Sequence, residues 1–177
     1  MRIHLLSLVL TIFLFGNVRA QDESVHAMAT RLERLDNFKV TETRGCFSYT
    51  EALRYLELEE LIDHSGPFTV FIPKTEAFDQ ASVGHALDKK SLYALTTYHL
   101  VAGKITAAKM LQMINRSGGK ATLTTVEGSK LQLAFAGLDI VITDSAGNTT
   151  IITEADQNQG KGISHTISGV LLPQSLK

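Results

Sequence analysis

The spacing of apolar residues changes near the middle of the chain, from helical to alternating. Up to about residue 117, apolar residues recur every three or four positions, which predicts a series of amphipathic helices. From Lys120 onward, apolar and polar residues alternate between short turns, which predicts strands. The predicted strands are 121–125, 130–135, 138–143 and 149–153, and a polar loop at 157–162 leads into a last strand at 163–172. Helices first and hairpins later favour an α+β fold, a small β-sandwich with helices packed on one side.

One segment before the hairpins has a different pattern. Phe68 to Ile72 is a continuous run of strand-favouring residues, too short and too rich in β-branched side chains for a buried helix. Pro67 and Pro73 flank it, and because proline cannot donate a ladder hydrogen bond, they mark the ends of the strand. After a polar turn, Phe78 returns to the same core. We therefore predict that this strand lies beside the last strand of the chain.

Polar residues at three positions indicate helix starts. Ser48 and Glu51 have the spacing of a capping box, in which the two side chains satisfy backbone amides reciprocally. The helix that follows is predicted to continue through Ile62. Asp88 and Thr106 are the predicted caps of two later helices, since short polar side chains accept hydrogen bonds from the first free amides.

The N-terminus has the pattern of a secretory signal peptide. Arg2 precedes an apolar run at 5–15, and small residues end at a predicted cleavage site after Ala20. The run is about half of the roughly 20 residues that a membrane-spanning helix needs, so a transmembrane segment is not predicted. We expect a secreted protein, periplasmic or extracellular. The predicted division is a signal peptide at 1–20, an N-terminal helical extension at 21–36 and a single domain at 37–175.

Charge and cysteine content narrow the classes of partner. The chain has 17 basic and 18 acidic residues, and removing Arg2 and Arg19 with the leader lowers the net charge from −1 to −3. Nucleic acids are therefore not expected as partners, because they are bound through basic surfaces. The single cysteine, Cys46, leaves a buried thiol in a monomer or a Cys46-linked dimer as alternatives. Asn115 and Asn148 begin glycosylation sequons.

Three ordered motifs carry a resemblance to a known family. Residues 66–78 resemble the first signature of the fasciclin domain, Tyr98-His99 resembles its central tyrosine–histidine pair, and residues 162–173 resemble its closing signature. The resemblance implies a fasciclin-type fold, a wedge-shaped β-sandwich with a packed helical layer. It also implies a mainly structural role for the signature residues, which are Phe68, Val70, Phe71, Pro73, Thr75, Phe78, Gly162, His165, Ile167, Val170, Leu171, Leu172 and Pro173.

The six histidines are the candidate groups for metal binding or proton transfer. None has the spacing of a helical metal site, and neither a metal nor a cofactor is predicted. Alternation places His165 on the same face as Ile163 and Ile167, where an imidazole must be hydrogen-bonded, so a structural histidine is favoured over a general base. Tyr98 and His99 are either a recognition patch or a packed hinge. Because they are adjacent at a helix end, we expect one to be buried and the other to reach the rim.

These features predict a secreted, non-catalytic module for adhesion or ligand recognition at a cell surface or in a matrix. The expected partner is a protein or glycan, with Tyr98 and His99 as the candidate binding residues. One alternative is a small-ligand carrier or a hydrolase-type enzyme with a cleft near His99 and His165. Another is a polysaccharide-binding protein, in which tyrosines would stack on the sugars.

Overall fold

The computed structural model describes residues 47–84 and 87–176. The predictions for the signal peptide at 1–20 with its cleavage at Ala20, for the extension at 21–36 and for Cys46 lie outside these residues. The helices are α1 Tyr49–Tyr55, α2 Leu58–His64, α3 Thr75–Gly84, α4 Lys89–Tyr98 and α5 Ala107–Arg116, with a final 3₁₀ turn at Gln174–Leu176. The strands are β1 Phe68–Pro73, β2 Leu100–Ala102, β3 Lys120–Thr124, β4 Lys130–Ala136, β5 Asp139–Thr143, β6 Thr149–Gln159 and β7 Gly162–Ile167.

The seven strands follow one another in a single order, β2-β1-β7-β6-β5-β4-β3. The pairing of β1 with β7 is parallel, with Thr69 opposite Ile163, and the other pairs are antiparallel. The two outer strands also approach each other, since Val101 forms a bridge with Thr125. The sheet is therefore nearly a closed barrel. The predicted α+β class and the predicted neighbourhood of the two signature strands are confirmed; the division into the two sheets of a sandwich is not.

Two apolar clusters fill the described part of the fold, one on each side of β1. The helical core lies among α1, α3, α4 and one face of β1, and it includes Tyr49 and Phe78. The barrel core lies between α5 and the inner face of the hairpins, and it includes Phe71, Met110 and Leu133. Because alternate residues of a strand point to opposite faces, β1 is buried on both sides. This explains the continuous apolar run of β1.

One predicted helix is two helices in the structure. The helix expected from Ser48 through Ile62 is interrupted at Glu57, whose φ of 56° is left-handed. The amide of Glu57 donates to the carbonyl of Arg54 at 3.0 Å, which closes the end of α1. The prediction of one helix was wrong because Leu56 and Leu58 on either side of the break are both buried, and so the apolar pattern continues across it.

The C-terminal part of the sheet also differs from the prediction. The segment predicted as a polar loop at 157–162 largely continues β6, which reaches Gln159 and shifts register twice against β7. Asp156 lies at these irregularities with a φ of 61°. Conversely, β7 ends at Ile167, so residues 168–172 are not the strand that the apolar sequence indicated. The amide of Ser168 still donates to the carbonyl of Ile151, whereas those of Gly169, Leu171 and Leu172 donate to side chains, as described below.

Candidate functional site

Tyr98 and His99 lie together at the C-terminal end of α4, and neither reaches the surface. Both side chains have no exposed area. Tyr98 belongs to the barrel core, whereas the His99 ring lies 5.3 Å from the Tyr49 ring and 6.3 Å from the Phe78 ring, measured between centroids. The expectation that one of the two reaches the rim was wrong. The end of α4 lies between the two cores, so adjacent residues that point in different directions are both buried.

Hydrogen bonds fix the tautomer of His99. Its Nε2 lies 3.0 Å from the amide nitrogen of Leu171, and because an amide can only donate, Nε2 is unprotonated. Its Nδ1 therefore carries the proton and donates to the carbonyl of Leu95 at 2.9 Å. Burial lowers the pKa of His99 to about 4. The neutral ring thus links the end of α4 to residues 168–172, which we call the closing segment.

His165 makes a similar link on the other side of β1. Its Nδ1 accepts from the amide of Asp156 at 3.2 Å, so Nε2 carries the proton and donates to the carbonyl of Ile105 at 2.9 Å. The ring stacks on Phe71 at 5.7 Å between centroids. Burial lowers the pKa of His165. The carboxylate of Asp156 in turn accepts from the amide of Ala107 at 2.9 Å, which joins the β6 irregularity to the start of α5.

Both histidine rings use their two nitrogens on backbone groups, which bears on the enzyme alternative. A general base needs a nitrogen within hydrogen-bond reach of the nucleophile. The hydroxyl of Ser164, next to His165 on β7, is buried and has no hydrogen-bond partner among the described residues. Successive side chains of a strand point to opposite faces, so Ser164 and His165 do not form a nucleophile–base pair.

The hydroxyl of Tyr98 holds a surface loop. It accepts from the amide of Ser145 at 2.8 Å and lies 3.1 Å from the Ser145 hydroxyl. Burial raises the pKa of Tyr98, so the phenol stays protonated. The backbone of the β5–β6 loop is therefore tied to the end of α4 through this one oxygen.

Asp144 is the residue of the site that the sequence did not identify. Its carboxylate is buried and accepts four hydrogen bonds. Oδ1 accepts from the amides of Ala146 and Asn148 at 2.9 and 2.8 Å, which shape the loop. Oδ2 accepts from the Asn148 side chain at 3.0 Å and from the amide of Leu172 at 2.9 Å. The only sequence signal was a turn-like run of polar and small residues, which predicts the turn but not its contact with the closing segment.

The closing segment is held by side chains from three elements. The amide of Gly169 donates to the hydroxyl of Thr150 at 2.7 Å, the amide of Leu171 to His99, and the amide of Leu172 to Asp144. Residues 144–148 and 168–172 thus share Asp144 as a common anchor. We refer to these two stretches together as the loop–tail surface. Its exposed residues are Ser145, Gly147 and Asn148, and Thr149, which follows it in the chain, is exposed at its margin.

Most signature residues lie in the two cores. Buried members are Phe68, Val70, Phe71, Pro73, Phe78, Gly162, His165, Ile167, Leu171 and Pro173. Val170 and Leu172 are half-buried against the helical core, and Thr75 is the first residue of α3. Gly162 has a steric role, because a Cβ at this position would overlap the carbonyl oxygen of Phe68.

Other features of the described residues add no chemistry to this site. A surface depression of about 410 Å³ at the junction of α1 and α2 is lined by Arg54, Glu57, Glu59 and Glu60. In the ranges 47–84 and 87–176, no three histidine, cysteine, aspartate or glutamate residues are grouped to hold a metal ion. No helix in these ranges is both long and apolar enough to cross a bilayer.

Comparison with known proteins identifies the family. The fasciclin domain model matches residues 44–173, which is more than half of the chain. The chain therefore belongs to the fasciclin family.

Relatives and a solved structure agree with this assignment. Protein sll1483 of Synechocystis is 30% identical over 129 residues, covering 69% of this chain and 64% of that protein. Human periostin is 27% identical over 134 residues, covering 73% of this chain and 15% of periostin. The structure of a FAS1 domain pair from the insect cell adhesion molecule fasciclin I matches with a TM-score of 0.53 at 20% identity, over 70% of this chain and 43% of that one. The last match shows the fold alone.

Proposed function

We propose that this chain is an exported recognition module that binds a protein or glycan at a cell surface or in a matrix and does not turn it over. Its family supports this, since fasciclin domains are typical of secreted or extracellular proteins. The fasciclin I structure comes from a cell adhesion molecule. The histidines that an enzyme would need are committed to backbone hydrogen bonds.

The binding region that we propose is the loop–tail surface, with Tyr98 and His99 as positioning residues beneath it. The observation that carries this proposal is the bond from the Ser145 amide to the buried hydroxyl of Tyr98. His99 likewise accepts a hydrogen bond from the Leu171 amide. A partner would therefore contact exposed groups such as Asn148, while the tyrosine–histidine pair sets their positions. Substitutions of the pair would change recognition without any direct contact.

The test compares two tyrosines that each lose one hydroxyl. Tyr98→Phe removes the bonds to Ser145, and Tyr49→Phe removes the bond from the Tyr49 hydroxyl to the carbonyl of Thr96 at 3.1 Å. Each loss costs about 1 kcal/mol of unfolding free energy. We expect only Tyr98→Phe to weaken adhesion of the chain to the surface of its own cells, severalfold, because only this change releases the loop. The first readout is the adhesion of these cells to each immobilised variant. The second is the free energy of unfolding of each variant in urea.

Equal adhesion by the two variants, at similar losses of unfolding free energy, would contradict the positioning role. A direct test of the surface is Thr149→Lys, which alters an exposed side chain at the margin of this surface and leaves the four bonds to Asp144 in place. If this variant folds with its Tyr98 bonds intact and still adheres as well as the parent chain, the loop is not the contact surface.

A further inference from the structure

An apolar turn projects from the sheet on the far side from the loop–tail surface. Leu138 is fully exposed at the β4–β5 turn, and Phe135, just before it, is 39% exposed. Between them lie Ala136 and Gly137, so the turn contains no polar side chain from Phe135 to Leu138. Hairpin turns are ordinarily polar, and exposed large apolar side chains at a projecting point indicate an interaction site.

The turn lies next to a basic stretch of the chain. Residues 103–126 contain four basic residues, Lys104, Lys109, Arg116 and Lys120, and neither aspartate nor glutamate. The rest of the chain has the opposite balance, since 13 basic and 18 acidic residues remain. All four basic residues are exposed, and none forms an ion pair with a carboxylate of the described residues.

Strand register brings the two features to the same end of the sheet, with Lys120 on its outer face and Phe135 on its inner face. Lys120 is opposite Ala134 on β4, and Ala136, at the start of the turn, lies two residues further along, or roughly 7 Å. Arg116 ends α5, which is joined to β3 by a short glycine turn and packs against β3 and β4. Asp139, opposite Ala136, is the one acidic residue of the β4–β5 hairpin, residues 130–143. We call Arg116, Lys120, Phe135 and Leu138 together the basic tip.

We propose that the basic tip docks on an anionic phospholipid surface, with Leu138 and Phe135 entering the headgroup region and Arg116 and Lys120 paired with lipid phosphates. Apolar side chains beside cations are the pattern of interfacial membrane binding, in which buried apolar area and attraction to anionic lipids add together. An acidic glycan would satisfy the cations but would offer no apolar layer for Leu138. The loop–tail surface lies at the other end of the β4–β5 hairpin, so it would face away from the membrane.

The experiment measures sedimentation of the chain without the predicted signal peptide, residues 21–177, with vesicles of phosphatidylcholine, with and without phosphatidylglycerol. We expect binding only to the anionic vesicles, and weaker binding at high salt. Arg116→Gln with Lys120→Gln should lower the partition coefficient roughly 25-fold, because each basic residue near an anionic surface contributes about fivefold. Leu138→Ser should lower it about tenfold.

The matched control is Lys74→Gln with Lys161→Gln, which removes the same charge from exposed positions outside the basic tip. All variants share residues 21–46, so a difference among them comes from the substitutions. An unchanged control with weakened basic-tip variants supports the proposal. Equal binding by all variants, equal binding to neutral vesicles, or binding to an acidic polysaccharide and not to vesicles would overturn it.

Discussion

At the scale of single residues, His99 couples protonation to folding. The folded ring needs an unprotonated Nε2 to accept from Leu171, and burial holds its pKa at about 4, below the unfolded value of 6.5. A histidine whose pKa is lowered by folding binds more protons when unfolded, so its contribution to stability is complete above pH 6.5 and is lost as pH falls towards 4. His165, whose pKa is also lowered by burial, acts in the same direction.

We therefore expect the unfolding free energy to fall by roughly 3 kcal/mol from His99 alone between neutral pH and pH 4. Urea unfolding at a series of pH values measures this. Among the described groups with shifted pKa values, His99 and His165 account for the change between pH 6.5 and 5, because Glu51 and Asp88, whose pKa values are lowered by hydrogen bonds to Ser48 and Ser91, have unfolded values of 4.5 and 3.8. NMR of the native ring gives an independent check. A His99 ring that becomes protonated near pH 6.5 in the folded chain would contradict the prediction.

At the scale of elements, the sequence predicted best what depends on local interactions. The side chains of Ser48, Asp88 and Thr106 cap their helices as predicted, each accepting from an amide three residues ahead. These contacts need no information beyond the first helical turn. The break at Glu57 and the extension of β6 were not predicted. Strand β6 continues through a polar sequence because β7 supplies its hydrogen-bond partners, and pairing with a distant segment leaves little signal in local apolar spacing.

The parallel pairing of β1 with β7 gives an element-scale prediction. Gly162→Ala places a Cβ against the carbonyl oxygen of Phe68, so one of the two strands must move. We expect a loss of about 2 kcal/mol in unfolding free energy, within the range for overpacked sites. Gly169→Ala is the matched control, since a Cβ there meets the Thr150 hydroxyl at an ordinary 3.4 Å. Equal effects of the two substitutions in urea unfolding would show that β1 and β7 do not approach as closely as described.

At the scale of the whole molecule, the sequence indicated two residues of the candidate site but not where their side chains lie. The resemblance placed Tyr98 and His99 in it, because the pair is a contiguous motif. The burial of both was not predictable, since it depends on two cores that assemble from distant parts of the chain. Asp144 was missed for the same reason: its partner Leu172 lies 28 residues away. Side chains that satisfy the backbone of a remote irregular segment leave no periodic signal.

Asp144 joins the β5–β6 loop to the closing segment, and this leads to a prediction for the molecule as a whole. Asp144→Asn keeps the size of the side chain but turns one acceptor into a donor. If the amide occupies the place of Oδ2, it faces the donors of Asn148 and Leu172. We expect a loss of about 1 to 3 kcal/mol in unfolding free energy, the cost of unsatisfied buried groups.

Hydrogen exchange measures where this loss acts. The amides of Leu171 and Leu172 should exchange with deuterium much faster, whereas that of Phe71 in β1 should keep its protection relative to global unfolding. The two regions would respond differently because side chains of His99 and Asp144 hold the closing segment. The Phe71 amide instead donates to the backbone carbonyl of His99 at 3.0 Å, and β1 pairs with a strand on each side. Unchanged exchange at Leu172 would mean that the Asp144 bond does not hold the closing segment, and the loop–tail surface would then not be a single unit.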